Sequence, residues 1–191
     1  MTNVQHRNDV IDLILLQHTE IKGMFTQVAT AQGDRKRELF QDLVRLLAVH
    51  EAAEEEIVHP AARKTITDGD DVIEHRLEEE NEAKRALSEL YDLGVDHPQF
   101  DTQLALLAEA VMRHAEKEER EELLDLRERV PEERLQRMAG AFQAAEALAP
   151  TRPHPAVGES AAVNWLAGPP TAVFDRIRDG VRDWRQANRT D

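Results

Sequence analysis

The chain has 191 residues, with 24 Lys and Arg against 38 Asp and Glu, a net charge of −14. That acidity repels phosphate backbones and argues against nucleic acid as a partner. The absence of cysteine excludes disulfides, thiolate metal sites and cysteine-ligated clusters.

With 32% charged and only 4% aromatic residues, the composition suits solvated helices rather than sheets. No stretch reaches the roughly 18 apolar residues of a membrane span. The N-terminal MTNVQHRNDV lacks a basic segment followed by an apolar run, so no signal peptide is expected. The chain reads as soluble and cytoplasmic, without a membrane partner.

Taken in order, residues 9–29 place Ile11, Ile14, Ile21, Phe25 and Val28 at helical spacing, with His18 on the same stripe. A turn at 31–34 leads to a second helix over about 34–62, with Leu39, Leu43, Leu46, Leu47, Ile57 and Ala61 inward. His50 and Glu54 continue its Leu43–Leu47 line. Thr67 to Asp70 form a loop and N-cap signal. A third helix runs to about Leu93, with Val72, Ala83, Ala86, Leu87 and Leu90 inward and His75 and Glu79 on the stripe.

Gly94 to Pro98 break the pattern, and a fourth helix spans about 99–128 on Leu104, Leu107, Val111 and Leu123. His114 and Glu118 extend that face. Pro131 interrupts, and residues 132–148 form another helix. Residues 149–170 are rich in Pro, Gly, Ala and Ser and read as a linker. A last helix at about 170–186 carries Val173, Phe174, Ile177, Val181 and Trp184, a face too small to fold alone. It is expected to dock on the bundle or on a second copy of the chain.

Four long helices with short loops predict an all-α, up-and-down four-helix bundle with additional C-terminal helices. The expected division is a bundle over residues 1–130 and a helical extension with a Pro/Gly-rich linker over 131–191.

The chemistry is carried by three copies of His-x-x-x-Glu: His50–Glu54, His75–Glu79 and His114–Glu118. Residues four apart share one helix face, so each copy offers an imidazole nitrogen and a carboxylate oxygen to one region. A single copy is more simply a half-buried His paired with a surface Glu. The set differs, because His and Glu interrupt the inward stripes of four helices, where burying them unpaired is costly. Shared metal ions would compensate all of them together. Imidazole and carboxylate without thiolate suit iron or manganese, with zinc also compatible. No phosphate-cradling loop or Ser/His/Asp set competes.

The order His, His-x-x-x-Glu, His, His-x-x-x-Glu, one group per helix, resembles the hemerythrin-like (HHE cation-binding) family, of the bacterial type with a C-terminal extension. HEAAEEEIVHPAAR (50–63) and HAEKEEREEL (114–123) are similar to its second and fourth helices. The resemblance covers residues 9 to about 128. It implies a four-helix bundle holding two non-haem iron ions bridged by carboxylates and an oxo or hydroxo group. By position, His18 would be the first-helix ligand, His50 and His114 terminal ligands, and Glu54 and Glu118 bridges.

The third helix departs from the family pattern at Glu79-Glu80-Asn81, leaving His75, Glu79 or Glu80, or two of these, as its ligand. Spacing favours His75, with Glu79 completing the set. His59, nine residues from His50, falls about half a circle away on an ideal helix and reads as a surface or supporting residue.

The implied function is binding, reacting with or sensing oxygen, peroxide or nitric oxide, with catalase-like turnover as one form of it. Carboxylate-rich ligation stabilises ferric iron and weakens the oxygen-carrier reading. Iron storage or sensing, and a metal-free helical interaction module, are the alternatives.

Overall fold

The computed structural model describes residues 9–148 and residues 170, 174, 175 and 178–180. It is all-α, with no strand among the described residues. The elements are α1 (Val10–Thr30), α2 (Gly33–Ala53), a π segment (Glu54–Val58), α3 (His59–Thr65), α4 (Gly69–Leu93), α5 (Phe100–Glu118), a second π segment (Glu119–Leu123), α6 (Leu124–Arg129) and α7 (Glu132–Leu148). The α2–π–α3 and α5–π–α6 runs are each continuous, so α1, these two rods and α4 make the four-helix bundle. No helix among the described residues is long and apolar enough to cross a membrane.

Each rod forms where an apolar stripe meets a terminating signal. Asp9 caps α1, accepting from the backbone N–H groups of Ile11 at 3.0 Å and Asp12 at 3.1 Å. Arg127 of α6 reaches both Asp9 and Asp12, which ties the start of the first rod to the end of the last. The stripe Val10, Ile14, Ile21, Phe25 and Val28 of α1 is buried against α2, α5 and α7. At the other turn, Asp68 takes a left-handed φ of 51° and Gly69 opens α4. A Cβ on Gly69 would lie 2.7 Å from the Arg63 carbonyl oxygen, so this close approach of α4 to α3 admits only glycine.

The first π segment begins at the glutamate of a His-x-x-x-Glu pair, Glu54, and the second begins immediately after another, Glu118. In the first, the His59 backbone N–H donates to the carbonyl oxygen of Glu54, five residues back. Single π turns of this kind are frequent at functional sites, since the additional residue re-aims the side chains that follow. Helix α7 packs on α1 and α2 and buries Leu135, Met138, Ala139 and Phe142.

The helices fall close to the ranges predicted from periodicity. Ala86, expected inward, is exposed. The linker expected over 149–170 lies, but for Pro170, outside the described residues, as do Val173, Ile177, Val181 and Trp184 of the expected last helix. The described positions of that helix are helical, and Phe174 is buried with its ring 5.3 Å from the Lys84 ammonium on α4.

Candidate metal centre

The side chains that interrupt the apolar stripes meet inside the bundle. His50, Glu54 and His59 follow one another down the α2–π–α3 rod, and His114, Glu118 and Glu122 down the α5–π–α6 rod. His18 enters from α1 and Glu80 from α4. Ligand atoms of His18, His50, Glu54 and Glu118 all lie within 4.8 Å of one another, and so do those of Glu54, His59 and Glu80. Glu54 belongs to both groups. All these side chains except that of His114 are buried to 6% exposure or less.

The polar atoms are arranged for a cation rather than for one another. The Nε2 of His18 stands 3.2 Å from Glu118 Oε2, and the Nε2 of His50 stands 3.2 Å from Glu54 Oε1. Yet both oxygens of Glu54, both of Glu118, His18 Nε2, His114 Nε2, Glu80 Oε2 and Glu122 Oε2 are buried without a hydrogen-bond partner. Stranding a buried polar atom costs about 1–3 kcal/mol, more for a charge, so eight in one place call for a compensating ion. These residues therefore fit a metal: the unpaired atoms are imidazole nitrogens and carboxylate oxygens converging on two adjacent points.

The histidines are held from behind. His50 Nδ1 is 2.8 Å from Gln17 Oε1, His18 Nδ1 is 2.8 Å from Glu119 Oε1, and His114 Nδ1 is 3.2 Å from Glu79 Oε2. Each contact fixes Nδ1 as the protonated nitrogen and leaves Nε2 facing inward, as is usual for metal-ligating imidazoles. Arg76 and Lys117 in turn hold Glu79.

The electrostatics record the crowding. Burial, reinforced by Glu118, Glu80 and Glu122, pushes the Glu54 carboxyl well above its ordinary value. Burial also raises Glu122. It would raise Glu118 as well, but the imidazoles of His18, His114 and His50 hold that carboxyl well below the usual range. Burial, then the neighbouring His18, lowers His50. Burial opposes charge on His59, but its bonds to Glu122 at 3.0 Å and Glu80 at 2.8 Å raise it well above the ordinary value. In the metal-free chain the His59 imidazolium thus takes the position of a cation between two carboxylates.

Of the residues singled out in the sequence, His18, His50, Glu54 and Glu118 come together in one group. His114 adjoins them, its ring lining the same small cavity as His18 and His50. Glu79 does not join either group and instead supports His114. His75 is exposed. The inward face of α4 is set by Ile73, Arg76, Glu80, Leu87 and Leu90, and His75 is one residue, about 100°, out of step with Arg76. The favoured His75 thus points away from the cluster, and Glu80, one of the alternatives, takes the inward position. The surface reading of His59 is also overturned, because it is 2% exposed and central to the second group. Glu122 was not singled out, although it continues the His114–Glu118 line by another four residues.

Comparison with known proteins places these observations. The hemerythrin HHE cation binding domain family matches residues 9–126. An uncharacterised hemerythrin-like protein of Schizosaccharomyces pombe is 24% identical over 177 residues, covering 92% of this chain and 87% of its own length. A DNA nickase of Nostoc sp. is 27% identical over 139 residues, 72% of this chain, but the match spans only 39% of the nickase. The crystal structure of an HHE cation binding domain-containing protein from Mycobacterium kansasii has a TM-score of 0.60 at 21% identity, over 71% of this chain and 83% of the other. At that identity the likeness concerns the fold.

Proposed function

This chain belongs to the hemerythrin HHE cation-binding domain family, and on that premise we propose that it is a two-iron protein whose centre reacts with peroxide or oxygen, or senses nitric oxide. The observation that carries the reading is the make-up of the buried cluster: four carboxylates, Glu54, Glu80, Glu118 and Glu122, with four imidazoles, His18, His50, His59 and His114. Two divalent ions balance four carboxylates, whereas one would leave two negative charges buried, at several kcal/mol each.

The residues divide the work. His18, His50 and His114 would hold one ion, His59, Glu80 and Glu122 the other, and Glu54 and Glu118 would lie between. Iron bound there would supply one-electron and two-electron redox chemistry at neutral pH. The second half of the site is the richer in carboxylate, which stabilises the ferric state and disfavours stable oxygen carriage. Gln17, Glu119 and Glu79 keep the imidazoles oriented, and the burial of the cluster excludes bulk water.

A metal-sensing reading draws on a separate observation. The unpaired buried carboxylates make the metal-free chain costly, so occupancy would change stability and anything coupled to it. The nickase's action on DNA is not carried over, because a net charge of −14 disfavours binding a phosphate backbone.

The test is metal content together with the ultraviolet–visible spectrum of the isolated protein, before and after peroxide. About two irons per chain, with bands that respond to peroxide, support the redox reading. Two irons with an inert spectrum favour sensing or storage. A chain without metal sinks both and leaves a helical interaction module.

A further inference from the structure

The buried centre has one thin wall. A cavity of about 20 Å³ lies against the imidazoles of His18, His50 and His114, room for about one water-sized molecule. The rest of its wall is mostly apolar, including Ile21, Leu47, Val111 and Met112, with Glu51, Glu79 and Glu80 also bordering it. Outside it, between α4 and α5, runs a surface groove of about 330 Å³ that also borders Ala86 and Leu107. Cavity and groove share four lining residues: Glu79, Ala83, Ala110 and His114. The same side chains are thus met from outside and from within.

Two of the four carry only a methyl group. Ala83 on α4 and Ala110 on α5 leave the wall one side chain thick, and the Glu79–His114 pair completes it. The larger groove of about 510 Å³, bordered by Ala52, Lys84, Ser88 and Phe174, shares no described residue with the cavity. On that side Lys84 is ion-paired with Glu51 at 3.3 Å and lies 3.7 Å from Glu80. A charged, packed barrier therefore stands where the α4–α5 side has two alanines.

Resting on the metal reading above, we propose that small neutral molecules reach the centre between α4 and α5, through the window formed by Ala83 and Ala110. The cavity has room for a species of about water size, such as a diatomic molecule. The mouth carries Glu79 and Glu82 against Arg113, and the chain's net charge of −14 disfavours anions. The wall opens by side-chain movement of His114 and Glu79 and by the slight helix separations that methyl-sized contacts allow.

The experiment uses the full chain, iron-loaded and reduced, with nitric oxide as the probe in a stopped-flow instrument. The variants are Ala83→Leu and Ala110→Leu, with Ser88→Leu in the other groove as the comparison. Iron content is measured first for each. Ala83 and Ala110 lie on different helices, so if one variant failed to take up metal the other would decide. The expected result is that association and dissociation both slow by about tenfold in the two alanine variants. The equilibrium affinity stays unchanged, and Ser88→Leu behaves as the native chain. A changed affinity at unchanged rates, unchanged kinetics in the alanine variants, or slowing in Ser88→Leu alone would overturn the route. A native chain without metal would instead sink the metal reading itself.

Discussion

The backbone N–H of His59 donates to the carbonyl oxygen of Glu54, and the two side chains share one cation-sized group. In an unbroken α-helix, five residues would turn His59 about 140° away from Glu54. The π turn removes much of that angle. A bundle that would otherwise offer one cluster of ligands therefore offers two, joined at Glu54.

Assembling the centre costs stability in the absence of metal, and Glu54 shows it most directly. Both of its oxygens are buried and unpartnered, among three other carboxylates. Glu54→Met is expected to stabilise the metal-free chain by about 1–4 kcal/mol, because replacing buried charge by an apolar side chain of similar size is often favourable. The same variant should lose metal. Chemical denaturation in the presence of a chelator measures the first effect, and a destabilised Glu54→Met would contradict it.

The groups behind the imidazoles should tune metal affinity without touching the ion. Gln17→Ala and Glu119→Ala each free an Nδ1 and let the ring reorient. Each is expected to weaken metal binding by about 10–100-fold while leaving the fold intact. Competition against a chromophoric chelator reads this, and native affinity in both variants would show that the rings are held by packing alone.

The pH dependence of the metal-free chain follows from the shifted groups. Burial raises Glu54 and Glu122, and raises Glu51 to about 8. Such a carboxyl binds its proton more tightly folded than unfolded, so stability falls as pH rises between the two values. His59, raised by its two carboxylate partners against its burial, acts in the same direction. The lowered His50 contributes below 6.5, and the lowered Glu118 below 4.5, so neither opposes this trend at higher pH. The Tm of the metal-free protein should therefore drop from pH 6.5 to about 8. A divalent metal should flatten that slope, because bound ions keep the carboxylates ionised. Calorimetry with and without chelator tests it, and a metal-free Tm that rises across this window would contradict it.

The C-terminal segment contributes through Phe174, buried at 7% exposure with the Lys84 ammonium 5.3 Å from its ring. Phe174→Ala is expected to cost about 3 kcal/mol from lost burial and the lost cation–π contact, with metal content unchanged. Equilibrium denaturation measures it. A variant of native stability would show that this residue adds nothing to the bundle.

The helices were legible in the sequence because burial repeats every three or four residues, and His18, His50, Glu54 and Glu118 broke that pattern visibly. The second half of the centre was hidden by the assumption of regular helices. His59 turned inward only through the π segment, which the sequence marks by nothing more specific than three consecutive glutamates. Glu80 rather than His75 faces inward because the phase of α4 is set by Ile73, Arg76 and Leu87. Glu122 was within reach, since His114, Glu118 and Glu122 form a ladder at helical spacing. The supporting roles of Gln17 and Glu119 required the three-dimensional structure, because each contact crosses between helices.

The most direct test of the two-ion centre is the number of metal ions per chain in the native protein, His59→Ala and Glu54→Ala, measured by elemental analysis after saturation and desalting. The account predicts about two ions in the native chain, about one in His59→Ala and none retained in Glu54→Ala, since Glu54 serves both groups. One ion in both the native chain and His59→Ala would contradict it. His59 would then be a buried countercharge to Glu80 and Glu122, and the centre would hold a single metal.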